Sequence, residues 1–334
     1  MKSYFPHSLL FSSSLVMSTL LALSSNHWLM MWLSMELNLL AFLPLMTLTS
    51  QNQETESMIK YFLAQAIGSI LFLFSAMFLL PASSLANFNF TSMTLTLGLL
   101  FKLGAAPCHF WFPNVMASSS WIICMVLSTW QKIIPLWIII SHSLPSSSSL
   151  LFLSGGTSAI VGGLGGLNQT QVQPLLAYSS INHTGWILSG ASLSSSSTIL
   201  YFLIYSIILI PMMNSFKNLS FKFMKLQSPS SLTSKLPLHP IALLLSLAGM
   251  PPLLGFIPKL IIISLMMKSS LIILCLLLVS GSLISLFFYL NLLFNMVINN
   301  KKFFVKPALP APKSLINSSI ISSASLFLSP LALL

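Results

Sequence analysis

Aspartate and arginine are absent from the 334 residues, glutamate occurs three times (Glu36, Glu54, Glu56) and cysteine three times (Cys108, Cys124, Cys275). A soluble domain carries about a quarter of its residues as charged side chains. Here the share is 5%, against 55% hydrophobic, and mean hydropathy is +0.92. That shortage of charge excludes a soluble globular fold and makes this a membrane protein. The cysteines stand in apolar segments without a C-x-x-C pair, which leaves no basis for a zinc site, an iron–sulfur site or a disulfide framework. The six histidines have no close ligand spacing, so no metal is assigned. "GGTSAIVGGLGGL" (155–167) lacks the third glycine and the βαβ context of a nucleotide loop. Its Gly162-x-x-x-Gly166 reads as a close helix contact instead.

What is present is lysine, 14 in all, giving a net charge of +11. These lysines form no soluble basic domain, so no nucleic-acid partner is expected; membrane topology accounts for them. A search for stretches of about 20 apolar residues gives eleven expected helices, at 7–25, 28–49, 58–80, 91–107, 117–140, 150–167, 174–191, 194–214, 239–268, 270–298 and 315–334. The fold expected is all-α: one polytopic membrane domain over residues 1–334 with about eleven transmembrane helices. The start, Met1 to Ser25, has the look of a signal peptide, but further spans follow it and it is read as the first helix. With odd and even loops on opposite sides, Lys2, Lys60, Lys217, Lys222, Lys225, Lys235, Lys301, Lys302, Lys306 and Lys313 share one side and only Lys268 falls on the other. The positive-inside rule then puts the N-terminus on the cytoplasm-equivalent side and the C-terminus across the membrane. Trp28, Trp121 and Trp186 are expected at span ends.

Lys102, Lys132 and Lys259 belong to no loop, and Glu36 lies mid-span in "WLMMWLSMELNLLAFLPLM". Each charge at a helix centre costs about 2.5 to 3.5 kcal/mol, so each is expected to face protein or water. Prolines accompany them: inside a helix Pro44, Pro107 and Pro135 would strip the hydrogen bonds of the Leu40, Leu103 and Gln131 carbonyls. "LAGMPPLLGFIPKL" is broken by Gly249, Pro251, Pro252, Gly255 and Pro258 and reads as two half-helices, with Lys259 opening the second. Irregular backbone at membrane depth is tolerated only inside protein or beside a wet cavity. A broken fourth helix recurs in helices one to five (Lys102) and six to ten (Lys259). That recurrence suggests two inverted five-helix repeats, about 7–140 and 150–298, plus a C-terminal helix at about 315–334, the pattern of transporters with an ion path.

A lysine with a pKa near 10.4 passes no protons at neutral pH. Desolvation pushes it toward release, and a carboxylate about 5 Å away pulls back by roughly 3 kcal/mol at an effective dielectric of about 20. Moving Glu36 relative to Lys102 would therefore switch the lysine. His109 and His183 are further relay candidates, because imidazole titrates near neutral pH.

"MELNLLAFLPL" (35–45), "FKLGAAPCHFWFPNV" (101–115), "WQKIIP" (130–135), "GGLNQTQVQPLLAYSSINHTGW" (165–186) and "GMPPLLGFIPK" (249–259) closely resemble the subunit 2 family of mitochondrial NADH:ubiquinone oxidoreductase, the antiporter-like subunits of respiratory complex I. The resemblance covers nearly the whole chain. It implies an antiporter-like fold and proton translocation across the mitochondrial inner membrane, driven by quinone reduction in other subunits. It makes Glu36 and Lys102 the modulating ion pair, Lys132 the central relay and Lys259 the terminal lysine of the second half-channel. NADH, FMN, iron–sulfur clusters and ubiquinone would belong to partner subunits, none to this chain. Its partners would be other membrane-arm subunits and lipid, with the N-terminus in the matrix and the C-terminus in the intermembrane space. Two positions depart from the family: Val172, Gln173 and Pro174 stand where a basic pair usually follows "NQTQ", and Asn114 where relatives often carry an acid.

Two other classes compete. A freestanding cation/proton antiporter would need carboxylates to coordinate a cation, and Glu36 is the lone intramembrane one. A purely structural scaffold subunit would leave three mid-membrane lysines as unexplained cost.

Overall fold

A computed structural model describes residues 5–47, 52–79, 85–142, 147–218, 238–251 and 253–301. Among them lie thirteen helices and no paired strands: α1 (Phe5–Ser24), α2 (Trp28–Met46), α3 (Asn52–Leu79), α4 (Leu85–Leu103), α5 (Trp111–Ser118), α6 (Trp121–Ser128), α7 (Trp130–Ser141), α8 (Ser148–Leu167), α9 (Val172–Ala191), α10 (Ser195–Asn218), α11 (Leu238–Ala248), α12 (Phe256–Lys268) and α13 (Ile272–Lys301). Seven stretches are long and apolar enough to cross a membrane, one of them α6 and α7 together. The expected spans from 7–25 to 58–80 fall on α1 to α3, and 91–107 on α4. Those at 150–167, 174–191, 194–214 and 270–298 fall on α8, α9, α10 and α13. The segment 117–140 becomes α6 and α7, joined at Thr129, and 239–268 becomes α11 and α12, so that break is where the prolines and glycines put it. The span 315–334 and most of the basic loops, with Lys2, Lys222, Lys225, Lys235, Lys302, Lys306 and Lys313, lie outside the described residues.

The chain forms two compact units, Met1–Ser158 and Ala159–Leu334. In the first, α2 packs on α1 and α3, and α3 on α4 and α5, while α4 also meets α7. The α3–α4 crossing is close because Gly68 faces Gly98: a Cβ on Gly98 would lie 2.9 Å from the Gly68 carbonyl oxygen. In the second unit, α9 packs on α10, α12 and α13, and α11 on α10 and α13.

Every residue of α9 except Tyr178 is buried. Its composition explains this: Gln173, Asn182, His183 and four serine or threonine residues would be costly against lipid, so the helix is wrapped by apolar ones. Gly162 and Gly166 act as expected, since a Cβ on Gly162 would lie 2.5 Å from the Asn182 nitrogen and one on Gly166 2.5 Å from the Phe288 ring. Gln173 is buried and Asn114 exposed. The outer surface is apolar, with Ile70 67% and Ile273 78% exposed, as a lipid-facing helix requires. Exposed serines cost little there, because Ser12, Ser13 and Ser14 each donate to the carbonyl three residues back, leaving no hydroxyl in need of water.

Trp28 and Trp121 open α2 and α6, as expected of aromatics at span ends, and Trp28 stacks on His142 at 4.4 Å. Trp186 does not follow them. It is 1% exposed within α9, a core residue, because α9 is buried in protein along its length.

Candidate functional site

Lys102 is the next-to-last residue of α4. The helix stops because Gly104 has φ +66°, a backbone region open to glycine and disfavoured for residues with a Cβ. The Gly104 N–H donates to the Phe101 carbonyl (3.2 Å) and the Ala105 N–H to the Leu100 carbonyl (3.2 Å), the paired bonds of a Schellman stop. Pro107 follows in the link, after a cis peptide bond with Ala106. The expectation that Pro107 breaks a helix is thereby corrected: glycine ends it first. Two of the last carbonyls find side-chain donors, Phe101 from Trp111 Nε1 (3.1 Å) and Lys102 from Gln65 Nε2 (3.3 Å).

The Lys102 side chain is 7% exposed and lines a small cavity with Asn38, Tyr61, Gln65, Gln131 and Pro135. The cavity measures about 10 Å³ as the space open to the centre of a water-sized sphere, about the room one water needs. Its polar lining comes from α2, α3, α4 and α7. Glu36, half-buried on α2, lies near enough for its charge to act on Lys102 and on the Tyr61 hydroxyl. The two do not make a contact ion pair; among the described residues that geometry is found for exposed Lys60 and Glu56 (2.6 Å). The Glu36–Lys102 pair expected from the sequence is held apart.

Lys132 is 2% exposed on α7, next to Gln131 but outside the cavity lining. Its ammonium stands 5.1 Å from the centre of the Phe112 ring, a cation–π arrangement. Gln131 pairs with Asn38 in both directions: Asn38 Nδ2 donates to Gln131 Oε1 (2.9 Å) and Gln131 Nε2 to Asn38 Oδ1 (3.4 Å).

The second unit repeats the helix stop with a different tenant. Gly249, φ +82°, ends α11 with the same two bonds, Gly249 N–H to Ser246 (3.1 Å) and Met250 N–H to Leu245 (3.3 Å). Lys259, 6% exposed, lays its side chain over Gly249 and donates from Nζ to the Ala248 carbonyl (2.9 Å). A Cβ on Gly249 would lie 2.7 Å from that ammonium. The site is a cation seated at a helix C-terminus, where the helix dipole favours positive charge.

The weaker candidates are structurally modest. His109 sits in the α4–α5 link, its Nδ1 3.3 Å from the Pro107 carbonyl oxygen and its ring stacked on Phe110 at 4.2 Å; it is not a cavity residue. His183 is buried in α9 with Nδ1 2.9 Å from the Tyr201 hydroxyl and its ring 5.0 Å from that of Tyr205. The structure thus puts Lys102 on the wall of a cavity with Glu36 in electrostatic reach, Lys132 next in sequence to the cavity residue Gln131 and against Phe112, and Lys259 in its own seat. Sequence reasoning missed Asn38, Tyr61, Gln65 and Gln131. The signal for two of them was there: Asn38 and Gln131 are amides inside the apolar words that carry Glu36 and Lys132.

A family model described as NADH:quinone oxidoreductase/Mrp antiporter, TM, matches residues 25–285. The chain is 44% identical over 284 residues to NADH-ubiquinone oxidoreductase chain 2 of Lumbricus terrestris, covering 84% of each. Its fold resembles a chain of respiratory complex I from Thermus thermophilus with bound aureothin, at a TM-score of 0.82 and 24% identity, over 98% of this chain and 78% of that one. It also resembles a chain of the Mrp complex from Dietzia sp. DQ12-45-1b, at 0.76 and 17%, over 90% and 61%.

Proposed function

Because the chain belongs to the NADH:quinone oxidoreductase/Mrp antiporter transmembrane family, we propose that it is a proton-translocating membrane-arm subunit of an NADH:ubiquinone oxidoreductase, with no redox centre of its own. One observation carries the mechanism: three lysines stand almost wholly buried in apolar helices, Lys102 on a cavity wall with three amides, Lys132 against an aromatic ring and Lys259 on a backbone carbonyl. An amine that sits on a carbonyl, as Lys259 does, can give up its proton without abandoning a buried anion, the loss that makes a broken ion pair costly.

In this reading Lys102 holds a proton in its cavity while Glu36 stands near. Withdrawing the carboxylate removes an attraction of roughly 3 kcal/mol for a charge about 5 Å away and so loosens the hold. Lys132 takes the next position on α7 and Lys259 the exit seat of the second unit. The two matching helix stops support an inverted repeat of the five-helix kind, and the lysine asymmetry supports an orientation in the mitochondrial inner membrane with the N-terminus in the matrix. NADH, FMN, the iron–sulfur clusters and ubiquinone are assigned to partner subunits, and other membrane-arm subunits and lipid to the outer faces.

Lys132→Met keeps the length and apolar stem of the side chain and removes the amine. We expect the complex to assemble and its coupled quinone reduction and proton release to fall severalfold, read in sealed membrane vesicles. Full coupled activity in the assembled variant would remove the relay role.

A further inference from the structure

We propose that the reciprocal amide pair Asn38–Gln131 is a positioning pair that sets where Glu36 stands relative to Lys102 and Lys132. This rests on the proton-path reading above. The two residues are 93 positions apart in sequence and bond in both directions, so the pair fixes distance and rotation together. Asn38 lies two residues beyond Glu36 on α2, and Gln131 immediately precedes Lys132 on α7. One clasp therefore ties the helix that carries the acid to the helix that carries the central amine. Both amides also line the Lys102 cavity, so the same contact shapes the space in front of the other lysine.

Two further observations support a positioning role. Pro135 lies inside α7 and takes away the helical donor to the Gln131 carbonyl, so the backbone is least restrained where the side chain is clasped. Asn38 is 4% exposed. A buried amide pair adds little net stability over an apolar pair of the same shape, whereas it does select one arrangement. Amides do not titrate in the working range, so the pair moves no proton itself; the titratable groups on the cavity wall are Tyr61 and Lys102, with Glu36 in electrostatic reach and Lys132 next in sequence to Gln131.

The test uses membrane vesicles holding the assembled complex, with NADH, a short-chain quinone and a pH-sensitive dye. Asn38→Leu and Gln131→Leu are each expected to lower the initial rate of proton translocation per assembled complex about tenfold, well within the roughly hundredfold that a 1 Å misplacement can cost, and to move its pH optimum. The exchanged double variant Asn38→Gln with Gln131→Asn keeps an amide at each end and is expected to restore the rate to within about twofold and to return the optimum. A leucine variant with the wild-type rate and pH optimum overturns the proposal. So does an exchanged variant that fails to assemble or translocates like the single ones, which decides the matter even where leucine blocks assembly. Lys132→Met is measured alongside: if it translocates normally, the proton-path reading fails, whereas a deficient Lys132→Met beside unaffected leucine variants overturns the clasp alone.

Discussion

The ends of α4 and α11 are built alike and used differently. Both close with a glycine at positive φ and the same pair of reversed hydrogen bonds, and both leave a carbonyl free to accept from a side chain. At α4 that donor is the amide of Gln65, from another helix, and the Lys102 ammonium faces a cavity. At α11 the donor is the Lys259 ammonium itself. The contrast shows that a helix terminus can serve either as a wall or as a seat: what decides is whether a neutral donor reaches the carbonyl before the cation does.

The largest way to break this comparison is at Gly255, where a Cβ would lie 1.8 Å from the Ser246 carbonyl oxygen. Gly255→Ala is expected to force α12 away from α11 at a cost of about 3 kcal/mol, seen as loss of assembled complex on native gels. A wild-type yield would mean the two half-helices are not held by that contact.

Next come the two stop glycines. Alanine at either position costs about 1 to 2 kcal/mol of backbone strain, so both Gly104→Ala and Gly249→Ala should lower the thermal midpoint similarly. Only at Gly249 does the new carbon meet the ammonium; at Gly104 it meets the Phe112 side chain, at 3.0 Å. Proton translocation per assembled complex is therefore expected to fall further in Gly249→Ala, and equal falls would erase the distinction between wall and seat.

The smallest effect sharpens the backbone half of the comparison. Ser270 stands at φ +57° beyond α12, with Ser270 N–H bonded to Met267 and Leu271 N–H to Met266: the same stop without glycine. Ser270→Gly should raise stability by about 1 kcal/mol, a rise of the midpoint in calorimetry, with translocation unchanged.

The placement of buried charge was legible in the sequence, because Lys102, Lys132, Lys259 and Glu36 interrupt long apolar runs and each interruption has an energetic cost that demands protein around it. The break before Lys259 was legible too, since Gly249, Pro251, Pro252 and Gly255 leave no continuous helix. The break after Lys102 was located four residues late, at Pro107, because a single glycine in an apolar word is a weak signal until its φ is seen. The clasp and the carbonyl seat were illegible for another reason: an amide–amide contact across 93 residues or an ammonium turning back to a carbonyl eleven residues behind leaves no local periodicity. Trp186 illustrates the same gap, since only packing shows that α9 never meets lipid.

Lys259 rests on a dipole, while Lys102 has an acid in reach. When both amines are protonated, the charge on Lys102 therefore has a carboxylate to offset it, and that on Lys259 has the end of α11. The electric field across a membrane acts on each charge that moves, at about 2.3 kcal/mol per elementary charge for 100 mV across the full thickness, so a proton reaching either amine feels the voltage, and the two differ in what steadies it on arrival: a carboxylate in reach at Lys102 and a helix end at Lys259.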